Sequence, residues 1–450
     1  GEVTMFEGVQ QSLSLLGSYE AVKKERWTRS PLWLTALREY GRVLFAQKGL
    51  PQQRLEEWKY TDVSALAQQH FTAPASAALT GKLLGEQNLR EYLLPSFAPP
   101  LRLVFVNGSY SPSLSQNGVQ QLTEGVEIGN LDTAINQNHP LLQQHLATYA
   151  KPDENSFVAL NNAFIEDGAW ILIPKGVQLY EPVHLVYITT GSGKPGSCHP
   201  RNLVVAETGA KVSIIEEYIG ANGNSYFNNP VTEIAIADNA EVEHYKIQRE
   251  STQAFHIATI EVLQGNASRY VSHNFNFGGQ LTRNNIHSYL TGPGSSCTLN
   301  GLFMISGSQH TDNHTLIYHA APHCQSSELY HGILDDKARG VFNGKIYVAP
   351  PAQKTDSQQT SRSLMLSNDA VIDAKPQLEI FADDVKCTHG AAVGKIDEDS
   401  LHYMRSRGIS INEAWKILTL GFARQITQQV DLEPLKKAVE AFLVNRLGGN

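Results

Sequence analysis

The segments Gly209-Ala210-Lys211-Val212, Asn239-Ala240-Glu241-Val242, Asn266-Ala267, Ser295-Ser296-Cys297-Thr298 and Gln325-Ser326-Ser327-Glu328 decide the fold. Each couples a turn-forming or small residue to the start of a β-rich run, and successive units recur about every 27 to 30 residues. A period of that size is the mark of a solenoid, in which one supersecondary unit buries its apolar face only by stacking on the next. Two or more short strands per turn, paired with the turns above and below, make a parallel β-helix with a narrow apolar interior. The competing arrangement is an irregular antiparallel sandwich, which the alternating charged and β-branched residues of Val231 to Ile247 suit equally well.

Working outward, β-rich runs such as Leu101 to Val106, Trp170 to Ile173, Val212 to Tyr218 and Val231 to Ile236 fill residues 101–393, punctuated by Gly, Asn, Asp and Pro and with few helical patterns. Residues 1–100 read as an N-terminal helical region. There Ser30 is placed to cap and Pro31 to open a helix, Leu32, Trp33, Ala36, Leu37, Tyr40, Val43 and Leu44 recur at helical spacing, and Gly49 with Pro51 ends it. Glu57-Trp58-Lys59-Tyr60-Thr61 reads as a turn whose two aromatics pack on a neighbour. Residues 394–450 return to helix: Asp397 to Arg407 stopped by Gly408, then a capping box at Ser410-Ile411-Asn412-Glu413, then a helix opened by Pro434. The stripes Ala414, Ile417, Leu418, Gly421, Phe422, Ile426 and Leu435, Ala438, Val439, Phe442, Leu443, Leu447 must be buried against the β-body, each other or a partner.

The chain has 450 residues, a net charge of −8 and 41% hydrophobic residues. That length exceeds one ordinary core, and the acidic balance argues against generic nucleic-acid binding. No apolar run reaches the length of a membrane helix and no export signal is read, so a cytoplasmic protein is expected. Cys198, Cys297, Cys324 and Cys387 lie far apart with no C-x-x-C pair, which fits a reducing compartment and excludes a local zinc knuckle or ferredoxin loop. Ile188 to Ser197 contains Gly193-Lys194 but lacks the leading glycine and the Ser or Thr of a phosphate-binding loop. H-E-x-x-H, G-x-S-x-G and dinucleotide glycine motifs are absent as well.

Two clusters carry candidate chemistry. In Lys386-Cys387-Thr388-His389-Gly390 a strand would put the Cys387 thiol and the His389 imidazole on one face, roughly 7 Å apart at Cα. That is half of a soft-metal site, and equally an ordinary buried Cys with a hydrogen-bonded His. In Gln309-His310-Thr311-Asp312-Asn313-His314, His310, Asp312 and His314 would share a face as a possible divalent-metal set, the alternative being a polar ladder whose members satisfy one another. Asp335-Asp336 and Asp383-Asp384 would point to opposite faces in strands and make no acid/base dyad.

Lys375-Pro376-Gln377-Leu378-Glu379-Ile380-Phe381 running into 383–390, then Val393-Gly394-Lys395-Ile396-Asp397 and Tyr403-Met404-Arg405-Ser406-Arg407-Gly408, resemble the SufB/SufD family of scaffold subunits of the SUF iron–sulfur cluster assembly machinery. Glu328-Leu329-Tyr330-His331-Gly332-Ile333, Gly340-Val341-Phe342-Asn343-Gly344-Lys345-Ile346 and Glu57-Trp58-Lys59-Tyr60-Thr61 extend the likeness over most of the chain. Length, the E-W-K-Y-T run and the form of the Cys-Thr-His-Gly segment favour the SufD branch over SufB. The resemblance implies a right-handed parallel β-helix with helical ends and a non-catalytic scaffold that pairs with SufB through the β-helix. It also implies docking of the SufC ATPase on the C-terminal helices. A cluster would form transiently at the SufB–SufD interface with His389, and with Cys387 as a second candidate, and a reduced flavin is a possible cofactor of the whole complex. Two other readings are a structural homodimer without a cluster role and a β-helix carbohydrate enzyme drawing on Asp312, Asp335, Asp336 and Arg339.

Overall fold

Through the body of the molecule each strand lies parallel and in register with the strand one repeat further on. Lys211 faces Glu241, and Arg269, Ser296, Gln325, Asp356 and Lys386 follow at offsets of 30, 28, 27, 29, 31 and 30 residues. The computed structural model, which describes residues 2–73, 85–116, 122–191 and 194–448, is a parallel β-solenoid of two sheets with ten and eleven strands, flanked by helices. This overturns the sandwich alternative. The antiparallel pairs among the described residues, Leu101–Val106 with Ser109–Tyr110 and Glu127–Asn130 with Ala169–Ile173, sit at the first end of each sheet. Gly193, quoted with Lys194 above, lies outside the described residues.

The repeat has a local cause. Two residues before each of six strands the backbone turns left-handed, at Gly209, Asn239, Ala267, Gly294, His323 and Lys354, with φ between 52° and 73°. The next residue is small or short and buried: Ala210, Ala240, Ser268, Ser295, Cys324 and Thr355. A left-handed corner sets the chain's re-entry angle, and a small side chain lets the corner close on the turn below. Gly and Asn adopt that conformation readily and mark the corner in sequence, whereas Ala267, His323 and Lys354 accept strain there and hide it.

One expectation needs correcting. An apolar column does run through the interior, including Val212, Val242, Ile260, Ile286, Leu299, Ile317 and Ile346. Beside it, however, lies a buried polar section with Glu216, His244, Lys246, Glu250, His256, Asn274, Asn284 and Asn313. These groups survive burial because they satisfy one another. His244 Nε2 is 2.7 Å from Glu216 Oε2, and Lys246 Nζ is 2.8 Å from His256 Nε2 and 3.0 Å from Asn284 Oδ1. Burial pulls the Lys246 ammonium down to about 8, with Glu216 and Glu250 resisting.

The ends pack back onto this body. Helix Leu32–Lys48, ended by Gly49 at φ 64°, crosses helix Ser156–Ala163 at Gly41, where a Cβ would lie 2.5 Å from the Ala159 carbonyl oxygen. Its N-cap is Pro31, and Ser30 instead accepts a 2.7 Å bond from Arg38. Helices Leu131–Asn136, Pro140–His145 and Ser156–Ala163 interrupt a region read as nearly all β.

At the C-terminus Asp397 caps Glu398–Ser406, and Ser410 caps Ile411–Thr427, before Glu433–Gly448. Ala423, Ile426, Leu435, Ala438, Val439 and Leu443 are buried on the outer face of the ten-stranded sheet, against Ile215, Ile247, Phe275, Leu302 and Ile333. The helical stripes therefore find most of their cover within the chain. Among the described residues no helix is long and apolar enough to cross a membrane.

Candidate functional site

Both sheets end on strands that have one neighbour. Val371–Ile380 closes the eleven-stranded sheet and Lys386–Gly394 the ten-stranded one. Such edges present unpaired N–H and C=O groups to any approaching strand. Pro376 blunts the first. The second carries no proline, and after Lys386 no charge, through Cys387-Thr388-His389-Gly390-Ala391-Ala392-Val393-Gly394. Apolar side chains rim this open end, with Phe381 57% and Val393 55% exposed.

Register fixes where the candidate pair points. Cys387 lies beside Ser357 and His389 beside Gln359, and both of those neighbours are buried in the interior. Side chains in register on parallel strands leave the same face, so Cys387 and His389 stand over the solenoid's interior on its last, uncovered turn. Cys387 packs against the apolar column, and burial followed by the nearby Asp356 carboxylate raises its thiol. Cys198, Cys297 and Cys324 are buried, and burial pushes Cys198 up to about 12, which leaves Cys387 as the thiol within reach of a partner.

A polar column stands beneath each candidate. Under Cys387, His319 Nε2 lies 2.8 Å from Ser326 Oγ, which donates to Ser357 Oγ at 2.7 Å. Burial lowers the His319 imidazole to about 4, so it is neutral at pH 7. Under His389, Gln359 Nε2 donates to Glu328 Oε2 at 2.8 Å, and the Thr315 hydroxyl donates to the other carboxyl oxygen. Burial pushes Glu328 up to about 7. Neither Glu328, quoted above only as part of a repeat and a family segment, nor Gln359 was marked as a site residue by spacing, although a Glu and a Gln at strand positions one repeat apart are a readable sign of stacked polar groups.

His310, Asp312 and His314 share the outer face of strand His310–His319, as their spacing predicts. Arg283 nevertheless occupies the carboxylate: its Nη1 lies 2.7 Å from Asp312 Oδ2, to which Thr61 also donates at 2.5 Å. His314 Nε2 is 3.1 Å from Asp312 Oδ1, and His310 Nε2 is 2.9 Å from Thr61 Oγ1. Burial alone would raise the Asp312 carboxyl, but Arg283 and His314 hold it well below the usual carboxylate range. The geometry is that of the polar ladder. It fastens the N-terminal segment to the solenoid, with Trp58 buried under the Arg283 guanidinium at 4.0 Å and Tyr60 left at the surface. Asp335 and Asp336 lie in a turn outside the strands, where Asp335 Oδ1 accepts from the Asp336 N–H. Among the described residues no three His, Cys, Asp or Glu side chains converge to hold a metal ion.

Comparison with known proteins adds an independent line. Residues 187–422 match the model of the SUF system FeS cluster assembly SufBD core domain, and residues 10–185 that of the SufBD protein N-terminal region. An iron–sulfur cluster assembly SufBD family protein of Synechocystis is 36% identical over 396 residues, 86% of this chain and 85% of its own. The iron–sulfur cluster assembly protein SufD of Escherichia coli is 33% identical over 403 residues, 89% of this chain and 90% of its own. SufD of Bacillus subtilis is 28% identical over 351 residues, 77% of this chain and 79% of its own.

Proposed function

Because this chain belongs to the SufBD family of iron–sulfur cluster assembly proteins, we propose that it is a non-catalytic, cytoplasmic scaffold subunit that builds a nascent cluster at its open solenoid end against a SufB partner. The observation that carries this reading is the uncovered last turn: a proline-free edge strand, without charge after Lys386, bearing Cys387 and His389. Main-chain pairing along such an edge supplies affinity, and the exposed Phe381 and Val393 supply the apolar contacts.

The cluster is cargo, and its iron takes thiolates and sometimes imidazole. With three of four cysteines buried, this chain offers His389 and one thiol, so the remaining ligands come from the partner. SufC, which supplies the ATPase activity, would dock on the outer face of the C-terminal helices, where Tyr403, Ile411, Ile417 and Val444 are exposed. Nucleotide binding in SufC then acts on the SufB contact only through differential affinity for two arrangements of the complex.

Co-expression with SufB and SufC tests the pairing. The double variant Phe381→Asp/Val393→Lys is expected to weaken recovery of SufB by roughly tenfold or more while SufC recovery is unchanged. Wild-type recovery of SufB would rule out the open end as the contact. A second copy of this chain, meeting the same edge in the antiparallel sense, is the occupant when SufB is absent. The same variant then converts a dimer into a monomer in light scattering.

A further inference from the structure

We propose that Gln359, held by Glu328, is the positioning residue for His389: its side-chain carbonyl accepts one ring N–H when a partner covers the open end, turning the other ring nitrogen outward to the cluster. This rests on the reading of that end as the assembly site. Gln359 is 2% exposed, and its Oε1 is buried with no hydrogen-bond partner. Leaving a buried carbonyl without a donor is costly, and a donor arriving from His389 would relieve it.

The other end of the amide is clamped. Nε2 donates to Glu328, Glu328 is fixed by Thr315, and Gly344 leaves the space, since a Cβ there would lie 2.2 Å from Gln359 Nε2. The next rung above Gln359 is His389, about 4.8 Å along the ladder. In the uncovered chain His389 is exposed, and water satisfies its ring. A partner seated on the end removes that water, and a ring N–H of His389 then needs an acceptor. Donation to Gln359 fixes the tautomer and leaves the second nitrogen's lone pair facing the interface.

The test uses the complex co-expressed with SufB and SufC, scored as iron and acid-labile sulfide per intact complex. Gln359→Met keeps size and apolar packing but removes the acceptor, and is expected to lower both by roughly tenfold. The exchanged pair Glu328→Gln/Gln359→Glu reverses donor and acceptor between the two side chains, leaves a carboxylate oxygen for His389, and should restore most of the content. A role in packing alone predicts no such rescue. Wild-type content in Gln359→Met, with content lost in His389→Ala, would overturn the positioning role and leave the assembly site standing. Wild-type content in His389→Ala would remove both. Should Gln359→Met fail to assemble, the exchanged pair decides: retained content supports the role, and loss from an intact complex overturns it.

Discussion

Arg283→Met is expected to destabilise the folded chain by about 3–5 kcal/mol, the usual cost of removing one member of a buried ion pair. Arg283 is 1% exposed and has four partners: Asp312, the Glu57 carbonyl at 2.9 Å, Asn285 at 2.9 Å and the face of Trp58. Methionine fills the space of the stem but leaves the Asp312 carboxylate in the interior without its counter-ion. The double variant Arg283→Met/Asp312→Leu, which removes both charges, should recover much of the loss. Because Arg283 and His314 hold the folded Asp312 carboxyl below its unfolded value, the pair's contribution is present above about pH 4 and fades as pH falls through the folded value. The deficit of the variant should shrink in the same window. Urea unfolding at pH 7 measures the loss, and repeating it at successive pH values below about 4 measures its fading; a neutral-pH loss under about 1 kcal/mol would contradict the account. Early proteolytic release of the N-terminal segment should accompany the loss, since Thr61 and Trp58 meet the solenoid at this cluster.

Glu328→Gln is expected to stabilise the chain by several kcal/mol at pH 8 but only by about 1 kcal/mol at pH 5. Burial raises the folded carboxyl to about 7, with Thr315 and Gln359 pulling it partly back, against an unfolded value near 4.3. The folded state therefore holds the proton more tightly. Stability is fully present below the unfolded value and is lost as pH rises through about 7. Above that the loss is on the order of 3 kcal/mol. Glutamine has nearly the same shape, keeps an acceptor for Gln359, and never ionises. Thermal melts of both proteins at pH 5 and pH 8 measure the difference, and an equal gap at the two pH values would show that the Glu328 carboxyl does not titrate in this window.

The solenoid was legible because its corners repeat, and the phase of the repeat was plain where the left-handed residue was Gly209 or Asn239, whereas the unit quoted from Ser295 begins one residue after its corner at Gly294. His323 and Lys354 carry the same corner without its signature. The polar interior was not legible: His244, Lys246 and Gln248 alternate with apolar residues as solvent-facing positions do, yet their odd-numbered neighbours Tyr245 and Ile247 face the C-terminal helices, and the charged set faces inward. Alternation states that two faces differ, not which one meets water. The shared face of Cys387 and His389 followed from strand period alone, as did that of His310, Asp312 and His314. What spacing could not supply was the third party. Arg283 comes from the preceding turn and Thr61 from about 250 residues away, and together they make an ion-paired clasp of a cluster that spacing left open between a metal set and a polar ladder. Of the helical stripes after residue 394, Ala414, Ile426, Leu435, Ala438, Val439 and Leu443 are buried as read, whereas Ile417 and Gly421 face solvent; only the packed structure assigns the buried residues from Ile426 onward to the chain's own sheet.

The most direct test of the central claim is the iron and sulfide content of the complex purified with SufB and SufC, compared between wild type and His389→Ala. His389 is exposed on an edge strand, so its removal should leave the fold, the melting temperature and the subunit ratio unchanged. An intact complex that has lost most of its iron and sulfide is the predicted result. An intact complex with wild-type content would contradict the claim that clusters are assembled at this end of the solenoid through His389.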